Sequence, residues 1–188
     1  MTMISTMKMS AWQYLLMGED PPGVRLELVN GEIAMSPSPV PNHSYVVLTL
    51  AWMLRSYIEE NDLGQLFTDA DTIFGEHDVR RPDLLFYRQS RLHLVGEKAM
   101  EGPPDLCIEV VSEGSEEIDR VAKFKQYRKG KVAHYWIVDP QTRTMDGYKL
   151  VKGVYRVSGS GADTDTLRLP PFSKLDIPLG KLWRPTGR

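Results

Sequence analysis

One stretch constrains this chain more than any other: Asp105-Leu106-Cys107-Ile108-Glu109-Val110-Val111-Ser112 is apolar except for an acid at its entrance and one in its middle. Pro103-Pro104 precede it and Glu113-Gly114-Ser115 follow. A short apolar run, β-branched in its second half and bounded by breakers, reads as a strand covered on both faces. An ionised carboxylate inside such a strand is costly unless something pairs with it or coordinates it. Glu109 therefore needs a partner, which is either a structural ion pair or a functional group.

The rest of the chain sets the frame for that residue. With 188 residues and 41% hydrophobic content, it can bury one sizeable core, and a single domain over 1–188 is expected, with 1–9 as a weakly patterned leader. Basic and acidic residues nearly cancel, 23 against 25, so a polyanionic partner must be met by a local patch. The single cysteine, Cys107, lies in the buried strand; an internal disulfide and a cysteine-based zinc site are excluded, and a reducing cytoplasm is the expected home. No apolar stretch is long enough to span a bilayer, so no membrane partner is expected.

In chain order, Ser10 caps a short helix through Met17, which Gly18 and Pro21-Pro22 stop. Val24 to Met35 reads as a hairpin turning at Asn30-Gly31. If Val29 faces Glu32, then Leu26, Leu28, Ile33 and Met35 share one face and Glu27 and Glu32 the other, either on a solvated side or turned toward a site. Asn42 is the expected N-cap of a long helix from His43 to about Glu60, with Val47, Leu50, Leu54 and Ile58, beside Trp52 and Met53, as its apolar face. His43 in its first turn reads as a surface or capping-region residue. The histidines are scattered, and none reads as a zinc ligand. Gln65–Phe74 reads as one strand and Gly75–Val79 as a polar turn.

Arg80 to Tyr87 follows as a strand in which Arg81, Asp83, Leu85 and Tyr87 share a side. Asp83 and Glu109 are thus carried on two strands, with Arg88–Gly102 as a connector long enough to set them side by side. Adjacent strands lie about 4.8 Å apart, which lets the two carboxylates meet at one divalent ion. Asp105 is a poorer partner, since four residues of the same strand separate it from Glu109 by roughly 13 Å. Beyond Ser112 a helix is expected from Ser115 to about Gly130, with Glu116, Glu117 and Asp119 in its first turns and basic residues after them, an order that suits the helix dipole. Arg120 to Lys131 is also the densest cationic stretch of the chain. Lys125 and Arg128 there, with Arg81, are the residues expected to meet nucleic-acid phosphates. A strand follows over Ala133–Asp139, then an outer hairpin of Thr144–Leu150 and Val154–Val157.

Arg81-Pro82-Asp83, the Pro104 to Ser112 run, Asp119-Arg120, Lys123, Tyr127 and Tyr135-Trp136-Ile137-Val138-Asp139-Pro140 occur in an order that resembles the Uma-two family of restriction-endonuclease-like proteins. Leu26-Glu27-Leu28-Val29-Asn30-Gly31-Glu32 and His43 fit the same pattern. The resemblance runs from about Ser10 to Trp183. It implies the α/β restriction-endonuclease-like fold of the PD-(D/E)XK nuclease superfamily, a mixed central sheet flanked by helices, here with an N-terminal β-hairpin. It also implies Asp83 and Glu109 as metal ligands, Glu27 as a further acid for the metal, and a homodimer, to which Tyr and Trp content near the hairpins lends support. Where the superfamily's common pattern has a lysine two residues after the second acid, this chain has Val111. The resemblance moves that lysine to the following helix at Lys123, whereas a local helical reading places Lys125 nearer the apolar side.

These residue types suit magnesium or manganese, since hard cations prefer oxygen ligands and magnesium keeps several waters. The expected activity is metal-dependent hydrolysis of DNA phosphodiester bonds, with Asp83, Glu109 and Lys123 as the catalytic set. The alternatives are a non-catalytic DNA- or protein-binding module on the same fold and a phosphoesterase of small nucleotides.

Overall fold

A computed structural model describes residues 8–112 and 118–185. The expected N-cap Ser115, the acids Glu116 and Glu117, and most of the leader lie outside them.

Ser10 does cap the first helix, α1 (Ala11–Leu15): its hydroxyl accepts from the Gln13 N–H while the Gln13 side chain accepts from the Ser10 N–H. The hairpin of β1 (Val24–Val29) and β2 (Glu32–Pro37) has the expected register, with Val29 opposite Glu32, Leu28 opposite Ile33 and Glu27 opposite Ala34. Asn30 and Gly31 both take positive φ, 52° and 83°, the conformation a two-residue hairpin turn requires. Leu26 and Leu28 are buried against α1, whereas Met35, on the same face, lies exposed at the end of the ribbon.

Helix α2 (Pro41–Glu60) begins earlier than the sequence suggests. Val40 is its N-cap, and Pro41, whose fixed φ suits the first helical position, takes up the start, so Asn42 lies inside the first turn. Val46, Leu50, Leu54 and Ile58 form the buried stripe, with Val47 and Met53 beside it, while Trp52 points outward at 68% exposure. The expected strand Gln65–Phe74 is two: β3 (Gly64–Thr68) and β4 (Thr72–Gly75) belong to different sheets, and the chain turns between them at Asp69, whose φ is 51°. The turn after β4 leads to β5 (Asp78–Arg80), and β6 (Leu84–Arg88) starts beyond Asp83.

After β7 (Leu106–Val110) the chain passes through a π-helical turn, Ile118–Lys123, and α3 (Phe124–Lys129) to reach β8 (His134–Asp139), which lies parallel to β7. The outer hairpin of β9 (Thr144–Val151) and β10 (Val154–Ala162) is longer than expected. A small ribbon of β11 (Thr166–Leu167) and β12 (Ile177–Pro178) closes the described chain. The main sheet runs β10-β9-β8-β7-β6-β3 and is mixed, since every neighbouring pair except β7 and β8 is antiparallel. A second sheet, β2-β1-β5-β4, carries the N-terminal hairpin. Among the described residues, no helix is long and apolar enough to cross a membrane.

Strand alternation divides the core. Even-numbered residues, Leu84, Phe86, Leu106, Ile108, Val110, Trp136 and Val138, pack on α2 and on Phe172 and Leu182 near the C-terminus. Odd-numbered ones, Cys107, Val111, Tyr135 and Ile137, pack on Tyr127 and Phe124 of α3. Glu109 is odd-numbered and therefore faces α3. Of the aromatics in and beside the outer hairpin, Trp136, Tyr135 and Tyr155 are buried and Tyr148 half-buried, whereas Trp12, in the helix packed on the N-terminal hairpin, is exposed.

Candidate active site

The register of β6 and β7 places the two acids. Leu84 pairs with Ile108, so Asp83, one residue before β6, stands opposite Glu109 on the face that looks toward α3. The two also share a backbone contact, because Asp83 Oδ2 accepts from the N–H of Val110 at 2.8 Å. Both carboxylates line a pocket whose free space is about 180 Å³. Its wall is completed by Arg25 and Glu27 from β1, Ser36 from β2, His43 from α2, Arg80 from β5, and Asp119 and Lys123 from the π-helical turn.

Each acid has its own set of partners. Glu109 Oε2 lies 2.8 Å from Lys123 Nζ, and its Oε1 accepts a 2.5 Å hydrogen bond from the Tyr127 hydroxyl. Lys123 also reaches Asp119 Oδ1 at 3.1 Å. Asp119, Lys123 and Tyr127 recur at intervals of four, which keeps them on one face through the π-helical turn and the start of α3. Asp83 Oδ2 lies 3.0 Å from His43 Nε2, and its Oδ1 accepts from Arg25 Nη1 at 3.2 Å. Burial opposes ionisation of Asp83, but the hydrogen bond and charge of His43, with Lys123 and Arg25, overcome it and hold the carboxyl down at about 2. At Glu109 burial wins. Despite Lys123, desolvation and the neighbouring Asp83 and Asp119 push it up to about 8. Burial would lower Lys123, but Glu109, Glu27 and Asp119 outweigh it and keep the amine cationic.

Glu27 comes to the pocket wall without joining the two acids. Its Oε2 accepts from Arg80 Nη1 at 2.8 Å and its Oε1 from the Arg81 N–H at 2.8 Å. Burial opposes its ionisation; Lys123, Arg80 and the Arg81 amide reverse that and lower its pKa. The two candidate lysines differ in position: Lys123 is buried in the pocket, while Lys125 is exposed outside it. An α-helical projection misplaces them because the segment opens with a π-helical turn, which shifts residues around the axis. Of the residues expected to meet phosphates, Arg128 is exposed on α3, away from the pocket lining. Arg81 is directed elsewhere altogether, bridging Asp71 at 3.0 Å and Asp20 at 2.6 Å. Asp105 lies apart from Glu109, paired with Arg88 and Arg91.

Two residues whose side chains contact Asp83, Arg25 and His43, were not read as site residues from the sequence. Arg25 lies in the hairpin, two positions from Glu27, a spacing that already puts both on one strand face. His43 is buried rather than at the surface, because the first turn of α2 lies beside the start of β6; the family pattern was its one sequence signal.

The family model described as "Uma2: Putative restriction endonuclease" matches residues 11–180. The chain belongs to this family. Among solved structures, one described as a "putative nuclease belonging to DUF820" from Anabaena variabilis ATCC 29413 is similar, with a TM-score of 0.76 and 20% identity over 93% of this chain and 97% of that one. At that identity the likeness establishes the fold. No curated protein matches the chain.

Whether this Uma2-family pocket suits a metal turns on its donors. Among the described residues, no group of three or more His, Cys, Asp or Glu side chains stands arranged to hold an ion. Two carboxylates opposite each other do suit magnesium, which uses one or two carboxylates and completes its shell with water and substrate phosphate.

Proposed function

We propose that this chain is a metal-dependent nuclease that hydrolyses DNA phosphodiester bonds at the Asp83–Glu109 pair. The observation that carries the reading is the register that sets these two buried acids opposite each other, with a buried lysine amine 2.8 Å from one of them. The family description supports a nuclease, and the residue types support phosphate chemistry.

Asp83 and Glu109 would hold a magnesium or manganese ion, which when bound supplies Lewis-acid polarisation of a phosphate oxygen and makes a water more acidic. The chain's own residues prepare that chemistry. The Val110 N–H and His43 fix Asp83 in place and in its ionised form. Lys123, kept cationic by the acids around it, Glu27 and Asp119 among them, sets a positive charge at the pocket where a pentacoordinate phosphate would gather negative charge. Tyr127 orients Glu109 from behind.

A non-catalytic module on the nuclease fold is the second reading. It is favoured by the pairing of all four carboxylate oxygens of Asp83 and Glu109 with protein groups. Incubating supercoiled plasmid and single-stranded DNA with magnesium or manganese distinguishes the two. Nicking by the native chain that is absent from Asp83→Ala and Glu109→Ala at equal folded fraction supports the nuclease. DNA binding without cleavage by the native chain sinks it in favour of the module.

A further inference from the structure

The two oxygens of Asp83 are held in different ways. Oδ2 has a backbone donor, the Val110 N–H, and the buried ring of His43. The Val110 N–H cannot withdraw without disturbing β7, and the His43 ring is held buried against Asp83. Oδ1 is covered by Arg25 Nη1 at the longer distance of 3.2 Å. A divalent cation that reaches Asp83 must therefore take the oxygen that Arg25 covers.

Arg25 is also the easiest of the pocket cations to displace. Arg80 is buried between Glu27 and Gln126, and Lys123 between Glu109 and Asp119. The Arg25 side chain keeps 18% of its surface exposed and makes its other ion pair with Asp69, whose own side chain is 62% exposed. Its second terminal nitrogen also donates to the Arg81 carbonyl. Among the described residues its buried Nε has no hydrogen-bond partner, so one of the five donors of the fork is unused there.

The charge of Arg25 is secure. Burial acts against it, but Asp83, Asp69, Glu109 and Glu27 together raise its pKa. A divalent ion on Asp83 would reverse the local field that holds this cation there. The anion that a nucleic acid brings to the same pocket is a phosphodiester, whose paired oxygens match the forked donors of a guanidinium.

Taking the metal-centre reading above as its basis, we infer that Arg25 is a phosphate-binding residue parked on Asp83. It gives up Asp83 Oδ1 when a divalent ion binds and takes a phosphodiester oxygen instead. Metal and phosphodiester then bind cooperatively, with Arg25 as the link between them.

The test is Mn²⁺ binding to the full chain, followed by electron paramagnetic resonance with and without dimethyl phosphate, for the native protein, Arg25→Gln, Arg25→Lys and Asp83→Ala. Dimethyl phosphate should tighten Mn²⁺ binding to the native chain by about fivefold or more, the lower end of common coupling strengths. Arg25→Gln should bind Mn²⁺ alone more tightly than the native chain does, because its competitor is gone, and should lose the response to dimethyl phosphate. Where Arg25→Gln does not fold, Arg25→Lys, which keeps the charge but not the fork, carries the test: reduced coupling supports the role, and native-like coupling overturns it. Equal coupling in the native chain and Arg25→Gln, or none in the native chain, removes Arg25 from the phosphate site and leaves the metal centre standing. If the native chain binds Mn²⁺ no better than Asp83→Ala, the metal centre itself falls, and this inference with it.

Discussion

Lys123 Nζ lies 2.8 Å from Glu109 Oε2 across a separation of fourteen residues, in a pocket where both side chains are almost wholly buried. Such a pair is costly to break, because removing one member leaves the other polar group buried without its partner. Lys123→Met should abolish metal-dependent cleavage and destabilise the fold by up to about 3 kcal/mol, moderated because Glu109 holds its proton up to about pH 8 and is left without charge. Lys125→Ala, at an exposed position, should leave cleavage unchanged and stability within about 0.5 kcal/mol. Urea unfolding and plasmid nicking of both variants check this; loss of cleavage in Lys125→Ala with native behaviour in Lys123→Met would reverse the assignment.

The strands that carry the acids were legible because their signals are local. An apolar run broken once by Glu109, and an alternating run opened by Pro82-Asp83, are strong strand patterns, and the connector between them allows an antiparallel pair. What could not be read depends on groups far apart in the chain. His43 meets Asp83 over forty positions, and nothing in the first turn of a helix announces that its end lies beside another strand. Arg81 looks like a free cation until Asp20 and Asp71 are brought to it. Lys123 was marked by family spacing while the local pattern argued for Lys125, since periodicity assumes an α-helix and the segment begins with a π-helical turn.

Arg81 is therefore expected to act on stability and not on DNA affinity. Its bridges to Asp71 and Asp20 are partly shielded from water and tie the loop after α1 to the entrance of β6. Arg81→Ala should cost about 1.5–3 kcal/mol, the range for hydrogen bonds to charged groups. The slope of log affinity for a DNA duplex against log salt should stay as in the native chain, because no phosphate contact is lost. A slope reduced by about one unit would return Arg81 to the nucleic-acid interface.

Asp83 should govern the acid limb of stability. Its ordinary value of 3.8 falls to about 2 in the fold, where burial is outweighed by His43, Lys123 and Arg25. Its stabilising contribution is fully present above 3.8 and is lost as pH falls toward 2. The shift corresponds to about 2 kcal/mol. The penalty of Asp83→Asn, measured by urea unfolding, should be largest near pH 5 and shrink as the pH drops to 2. A penalty independent of pH would mean that the carboxylate charge contributes nothing.

Glu109 gives the opposite sign and ties pH to the metal. Its ordinary value of 4.5 rises to about 8, with desolvation the main cause and Asp83 and Asp119 adding to it. Between those values the unfolded chain has lost a proton that the native chain keeps, so this group lowers stability as pH rises from 4.5 to 8. In Glu109→Gln that component of the decline should vanish. A divalent ion must displace the same proton at neutral pH. Mn²⁺ affinity should therefore rise roughly tenfold per pH unit up to about 8 and level off above it, because the ligand must be deprotonated to bind. Calorimetric titrations at pH 7 in buffers of different ionisation enthalpy should show close to one proton released per ion. If Mn²⁺ binds with no proton release and no pH dependence between 6 and 8, Glu109 is either ionised before the metal arrives or is not a ligand. The same titration on Glu109→Gln separates the two: native affinity in the variant removes Glu109 from the site, and lost affinity keeps it there as an acid already ionised.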